Sequence, residues 1–427
     1  MTIELPADDL DLAGIIKPGD KVFWGQGTSE PLTLSEALVR QRSKIGPLSV
    51  FLGVSFSDTV TPEHADSLSC YSYGAIGTNQ RLSKAGVLGI LPCHYSQIPD
   101  LISRGALRCD VALLQLSSPD AAGEYSLGVA NDYMLDAARA ARVVIAEVND
   151  RVPWTYGGES LRETRIDYLV RTSRPVLEVK AQRISEVDRR IAAHVVPRIP
   201  DGAVLETGIG ALPDAILASL HGRRDLGVHS GMVGDGVIEL MEAGVVTNQL
   251  KPVDRGITVT GVLFGSERLY RYAHRNPGIR LSPARYTHSA QVMAQFDVFV
   301  AINSALEVDL TGQVNAEVSD AEYVGAVGGQ VDFVRAALAS PRGCSIIALP
   351  STAKSESISR IVSRLAGGVT TTPRSDADLV VTEWGAAELR GQTIAERARR
   401  MIAIAHPACR EQLEREAHDL LRKGALS

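Results

Sequence analysis

A chain of 427 residues is longer than one hydrophobic core usually serves, so two domains are expected before any motif is read. A hydrophobic content of 45% with 22% charged residues excludes a disordered chain. A formal net charge of −6, with no Lys/Arg run interleaved with aromatics, excludes a nucleic-acid binder. The first residues carry neither a basic nor an apolar leader and no apolar run is long enough to span a bilayer, so the expectation is a cytoplasmic protein without membrane association.

Short β-branched runs alternate with longer amphipathic stretches. Strands are predicted at 21–24, 48–52, 87–91, 111–116 and 143–147, then at 203–206, 257–262, 298–302, 345–349 and 379–382. Helical spacing over 132–141 and 394–404 supplies crossover connections, the pattern of an α/β protein with parallel sheets. The chain also repeats itself weakly. A strand, Gly25-x-Gly27, Pro31 and Leu38 in the first half correspond to a strand, Gly208-x-Gly210, Pro213 and Leu220 in the second. Each copy predicts a tight turn into a helix whose first N–H groups are free. Two homologous open-sheet α/β domains facing each other across a cleft are therefore expected. Residues 182–198, with Arg189 and Arg190, form the predicted crossover helix, which divides the chain into domains 1–190 and 191–427. For the first turn a purely structural corner is as good a reading as a functional one. The second lies near His229 and beyond a strand's carboxyl end, where open sheets bind ligands.

Cys70, Cys93, Cys109, Cys344 and Cys409 are odd in number and contain no C-x-x-C pair, so reduced thiols are expected. Cys93 and His94 are neighbours, but on a strand they point to opposite faces, and packing outweighs a Cys/His dyad. Nine scattered histidines show no metal-ligand spacing, so no metal is expected.

The most informative stretch, 225–248, reads Asp-Leu-Gly-Val-His-Ser-Gly-Met-Val-Gly-Asp-Gly from its start. Together with the runs at 25–31, 208–214, 303–315, 327–333, 381–385 and 405–407, in this order over nearly the whole chain, it resembles the acetyl-CoA hydrolase/transferase family. The resemblance implies the CoA-transferase fold and a signature His-Ser/Thr-Glu-Met-x-x-Asp-Gly whose glutamate is the nucleophile. Here His229, Ser230, Met232 and Asp235 match, and Gly231 stands in the nucleophile's place.

Glycine has no atom that attacks a carbonyl, so water is the expected acyl acceptor. The expected reaction is acyl-CoA thioester hydrolysis or hydrolytic C–C cleavage of a β-keto acyl-CoA. The alternatives are CoA transfer using another carboxylate and a non-catalytic acyl-CoA binding protein. The resemblance places oxyanion donors at Gly328 and Gly329. It ranks Glu383 as the best surviving carboxylate, then Glu30 at the first domain's helix start. His229 has the chemistry of a general base, although its family match argues for support. Gly208, Gly210, Met232, Asn303 and Gln330 are expected on the CoA and substrate side, and Lys354, Arg360 and Arg374 on the nucleotide side. Asp332 and Phe333 are expected to anchor the oxyanion loop, and Glu307 and Asp309 to serve structural hydrogen bonds. Coenzyme A is expected as substrate and product, with no tightly bound cofactor, in a homodimer or homotetramer.

Overall fold

The computed structural model describes residues 2–157, 161, 164–353, 358–365 and 367–422. The predicted site residue Lys354 lies outside the described residues.

The first half contains β1 (Ile3–Leu5), β2 (Lys21–Trp24), β3 (Leu48–Leu52), β4 (Leu68–Ser72), β5 (Leu88–Ile90), β6 (Val111–Leu116) and β7 (Val143–Asn149). A short β8 (Tyr156–Gly157) and then β9 (Tyr168–Thr172) follow. All but β8 join one eight-stranded sheet, β1-β9-β7-β6-β2-β3-β4-β5, in which every pairing is parallel. Its central strands β6 and β7 are buried along their whole length, as parallel strands covered on both faces must be.

The second half runs β10 (Val204–Thr207), β11 (Gly227–Val233), β12 (Thr258–Leu263), β13 (Ile279–Leu281) and β14 (Phe299–Ser304). Four short strands follow, β15 (Glu307–Asp309), β16 (Val314–Asn315), β17 (Val318–Ser319) and β18 (Glu322–Tyr323). After β19 (Cys344–Ala348) come the short β20 (Thr352–Ala353), β21 (Ile358–Ser359) and β22 (Ile361–Val362), then β23 (Leu379–Thr382) and β24 (Gly385–Glu388). The main sheet has the order β24-β23-β19-β14-β10-β11-β12-β13-β8 and is parallel except at the terminal β23–β24 pair. The protein is thus α/β, with two largely parallel open sheets.

The halves are not separate bodies joined by one strand of chain. The first-half strand β8 completes the edge of the second sheet by pairing with β13. A single apolar cluster contains Phe51, Tyr73 and Tyr133 of the first half with Val262, Phe264 and Ala284 of the second. Between the sheets the chain enters the helix Glu186–Val195, started by a reciprocal cap in which the Asp188 N–H donates to Ser185 Oγ and the Ser185 N–H donates to Asp188 Oδ2. Its apolar stripe, Ile191, Ala192 and Val195, is buried in the core of the second sheet. Residue 190 falls inside this helix.

Candidate active site

A cavity of about 770 Å³ opens between the two halves. Gln26, Val54, Phe56, Tyr73, Ile76 and Tyr95 line it from the first half. Glu206, Gly208, Gly231, His288, Asn303 and Gln330 are among its walls from the second. It lies beyond the carboxyl ends of β10, β11 and β14, where the strands leave N–H groups and side chains without a further sheet partner.

Gly231 sits within β11 and has no positive φ, so backbone strain does not explain the glycine. Space does. A Cβ at 231 would lie 2.9 Å from His288 Cε1 and 3.0 Å from Nε2, and a Cβ at Gly329 would lie 2.5 Å from the same Nε2. The imidazole fits only because both positions lack a side chain. It is held between Tyr95 (centroids 4.8 Å apart, rings tilted by 42°) and Phe333 (4.6 Å, tilted by 49°), which leaves it little room to swing clear. Its Nδ1 is 2.9 Å from Thr287 Oγ1, and Nε2, which has no hydrogen-bond partner among the described residues, belongs to the cavity wall. Burial pushes its pKa down to about 3, with His229 contributing, so the ring is neutral at physiological pH.

Glu206 is the third of the four buried residues of β10 and is 5% exposed. Asn303 Nδ2 donates to its Oε2 at 2.8 Å. Burial raises the carboxyl to about 8, and this single side-chain donor offsets only part of that. A carboxyl balanced near neutrality in a substrate-sized cavity has the properties of a proton-transfer group. The sequence carried a signal for it, a glutamate closing an otherwise apolar strand two residues before Gly208.

The loop that ends in the helix Gln330–Ala339 forms a further wall. Gly328 has φ +54°, Gly329 is the helix N-cap, and the first-turn N–H groups have no intrahelical partners. Gln330 is 8% exposed and its Nε2 is buried with no partner among the described residues. The loop is tied to the other half of the molecule: Tyr95 N–H donates to Gly328 O (2.9 Å), and Asp332 accepts from Ser96 N–H (3.2 Å) and Ser96 Oγ (2.8 Å). Donors aimed into a cavity from a helix start suit a carbonyl oxygen that becomes negative.

Gly208, Gly210, Gly231, Met232, Asn303, Gly328, Gly329 and Gln330 are therefore brought together around one cavity. Other predicted residues are not. His229 is fully buried, with Nε2 2.9 Å from the Thr287 carbonyl and Nδ1 unpartnered. Burial, then nearby Lys251, pushes it down to about 3. It packs beneath the segment that carries His288. Glu30 accepts from Ser35 Oγ (2.8 Å) and Ser57 Oγ (2.6 Å) and is not part of the cavity wall. Glu383 accepts from the Ser351 N–H (2.8 Å) and Oγ (2.5 Å), also away from the wall.

Arg360 is half-buried with its Nη1 3.4 Å from the Ala305 carbonyl, Arg374 is exposed, and neither reaches the cavity. The cation in the wall is Lys180, on the segment that leads into the 186–195 helix. All five cysteines are free, and burial raises the Cys93 thiol to about 11. Among the described residues no His, Cys, Asp or Glu group of three or more is placed to hold a metal ion, and no helix is long and apolar enough to cross a membrane.

Two open α/β sheets meet at a substrate-sized cavity walled by a carboxyl group, an imidazole and helix-start amides, the arrangement of an α/β enzyme with its site between the two halves. The comparisons with known proteins agree. The profile of the acetyl-CoA hydrolase/transferase N-terminal domain matches residues 7–179, and that of the C-terminal domain matches 265–417. The 4-hydroxybutyrate coenzyme A transferase of Clostridium kluyveri is 39% identical over 94% of each chain. Among solved structures, RipA from Yersinia pestis superposes with a TM-score of 0.91 at 34% identity, covering 96% of both chains. The 4-hydroxybutyrate CoA-transferase from Porphyromonas gingivalis gives 0.82 at 35% identity, over 98% of this chain and 97% of that one. The chain belongs to the acetyl-CoA hydrolase/transferase family, and acyl-CoA is the substrate class of that family.

Proposed function

We propose that this enzyme passes the acyl group of an acyl-CoA to water. The observation that carries this reading is the filled space at Gly231: the direction in which a glutamate would project from β11 is occupied by the His288 ring, 2.9 Å from the Cβ position. The family signature has its attacking carboxylate at that position. The nearest replacement chemistry is a water molecule deprotonated by Glu206.

In this reading the acyl group lies against the apolar wall of Val54, Phe56, Tyr73 and Ile76. The thioester oxygen faces the N–H groups of the 328–330 turn. Glu206, in its carboxylate form, takes a proton from water as the oxygen bonds to the thioester carbon, and the carbonyl pair moves onto the oxyanion. Collapse breaks the C–S bond, and the proton held by Glu206 passes to the CoA thiolate. Acyl-CoA and water give a carboxylic acid and CoA. With a β-keto acyl-CoA the same attack falls on the keto carbon and a C–C bond breaks, the proton passing to the leaving acyl-CoA carbanion. Lys180 at the cavity wall is the cation closest at hand for the CoA phosphates or a second carboxylate of the substrate.

One observation favours a second reading. Glu206 is itself a carboxylate in the cavity, and as a nucleophile it would carry the acyl group and restore CoA transfer. The deciding experiment is turnover of short acyl-CoAs with and without added acetate, run in ¹⁸O-labelled water, with borohydride trapping. The expected result is CoA release without acetate, one ¹⁸O in the acid and no modified glutamate. Dependence on acetate, with Glu206 labelled, would replace hydrolysis by transfer.

A further inference from the structure

The 231 position and His288 compete for one volume, and the competition bears on chemistry as well as packing. The Cε1 and Nε2 atoms of His288 would meet a Cβ at 231 at 2.9 and 3.0 Å, and a Cβ at 329 would meet the same Nε2 at 2.5 Å, while Tyr95 and Phe333 hold the ring in place. Thr287 Oγ1 lies 2.9 Å from His288 Nδ1 and 3.4 Å from the Pro283 carbonyl; when the hydroxyl donates to that carbonyl, Nδ1–H donates to Oγ1 and Nε2 carries the lone pair. Beneath it, His229 Nε2–H donates to the Thr287 carbonyl at 2.9 Å and holds the backbone from which the ring projects. The ring's place on the cavity wall is therefore set by contacts running from β11 through Thr287.

We infer that His288 is a catalytic residue standing where the family's reacting side chain projects, and that its Nε2 accepts a hydrogen bond from the attacking water and orients it between Glu206 and the thioester carbon. This rests on the hydrolytic reading above. One water O–H is held by His288 Nε2, the other points to the Glu206 carboxylate, which removes that proton as the new C–O bond forms. His288 itself gains no charge, as befits a ring in so dry a site. Gly231 and Gly329 then exist to admit the imidazole, and His229 is a positioning residue acting through Thr287.

The test is a set of variants of the full chain, checked for fold by near-UV circular dichroism, with CoA release in water and acetate-dependent transfer measured separately. His288→Ala is expected to lower kcat on the order of 10²–10⁴-fold while acyl-CoA affinity stays within about threefold. His288→Gln, which returns an oxygen acceptor at a similar reach, should recover at least about a tenfold part of that loss. Gly231→Glu alone meets the ring and should be inactive in both assays. The double variant Gly231→Glu/His288→Gly clears the volume and should transfer CoA to acetate. Hydrolysis by His288→Ala within about threefold of the parent overturns the inference and leaves the hydrolytic reading standing. So does transfer by the single Gly231→Glu variant as fast as by the double one. A parent enzyme that releases no CoA without acetate overturns the reading itself, and with it the water that His288 is assigned to hold.

Discussion

Glu30 and Glu206 occupy related places in the two halves, each beside a glycine turn that leaves a strand, and each is nearly fully buried at 2% and 5% exposure. Burial is the largest influence on both and raises both carboxyls above their ordinary range. Their surroundings then diverge. Both Glu30 oxygens are taken by serine hydroxyls, and the turn beside it is filled: Thr28 Oγ1 donates to the Leu263 carbonyl, and a Cβ at Gly27 would strike Phe264 at 2.5 Å. Glu206 accepts from the Asn303 side-chain amide and from the Ile302 backbone, has no hydroxyl partner, and lines the cavity. A perturbed carboxyl is thus not sufficient for chemistry. It must also keep acceptor capacity toward a space that substrate and water can enter.

The strongest way to break this comparison is to neutralise each carboxyl in turn. Glu206→Gln is expected to reduce turnover on the order of 10²–10⁴-fold with acyl-CoA binding retained, whereas Glu30→Gln should leave turnover within about threefold. Steady-state kinetics on both variants decides it. Equal losses would mean that Glu30 reaches the reaction through a rearrangement of the first half, and the assignment of Glu206 would fall.

Next in size is the oxyanion turn. Gly329→Val places a branched Cβ into His288 and shifts the helix-start donors, so a loss of about 10²–10³-fold in kcat is expected. Gly328→Ala has open space, its nearest neighbour at 3.9 Å, and suffers only from φ +54°. It should lose stability on the order of 1 kcal/mol and far less activity. A CoA affinity that falls in step with kcat in Gly329→Val would identify the turn as a CoA grip rather than an oxyanion site.

These contrasts also mark how far the sequence could be read. Strands predicted at 21–24, 48–52, 111–116 and 379–382 form over those residues, because β-branched runs buried on both faces have no competing conformation. The expected helix at 394–404 likewise forms as Ile394–Ile404. Strands β4 and β11 gave little signal: Leu-Ser-Cys-Tyr-Ser and Gly-Val-His-Ser-Gly-Met-Val are strands because partners on both sides complete their hydrogen bonds. That Gly231 departs from the resembled signature is read from the sequence alone. That His288 fills the space beside it is not, since His288 belongs to no motif and meets Gly231 only through the packing of the 284–288 segment on β11. Arg360 and Arg374 do not line the cavity: Arg360 turns its Nη1 to the Ala305 carbonyl and Arg374 is exposed, placements that sequence proximity to the 350–360 stretch does not disclose.

The pH dependence separates the two carboxyls more gently. With Glu206 at about 8, the carboxylate needed as a base accumulates as pH rises, so kcat/KM should climb about tenfold per unit below that value and level off above it. Stability moves the other way. The folded state keeps a proton that the unfolded chain releases above its ordinary value of 4.5, so folding weakens between pH 4.5 and 8 by up to about 1.4 kcal/mol per unit. Melting temperatures of the parent and Glu206→Gln should therefore lie closest near pH 4.5 and separate toward pH 8, with the variant the more stable. Parallel melting curves across that window would show that Glu206 is ionised throughout.

The smallest effect is expected where the cavity wall is tied to the other half. Ser96→Ala removes the 2.8 Å hydroxyl bond to Asp332 but leaves the Ser96 N–H at 3.2 Å and the Tyr95 N–H on Gly328 O at 2.9 Å. A hydrogen bond to a charged group contributes roughly 1.5–3 kcal/mol, so the melting temperature should fall by several degrees. Turnover should change by no more than about threefold, because two backbone bonds still fix the turn. If Ser96→Ala instead slows turnover as far as Gly329→Val, the donors are held by the tether between the halves and not by the room made for His288. The cavity's chemistry would then depend on how the halves dock more than on what its own wall contains.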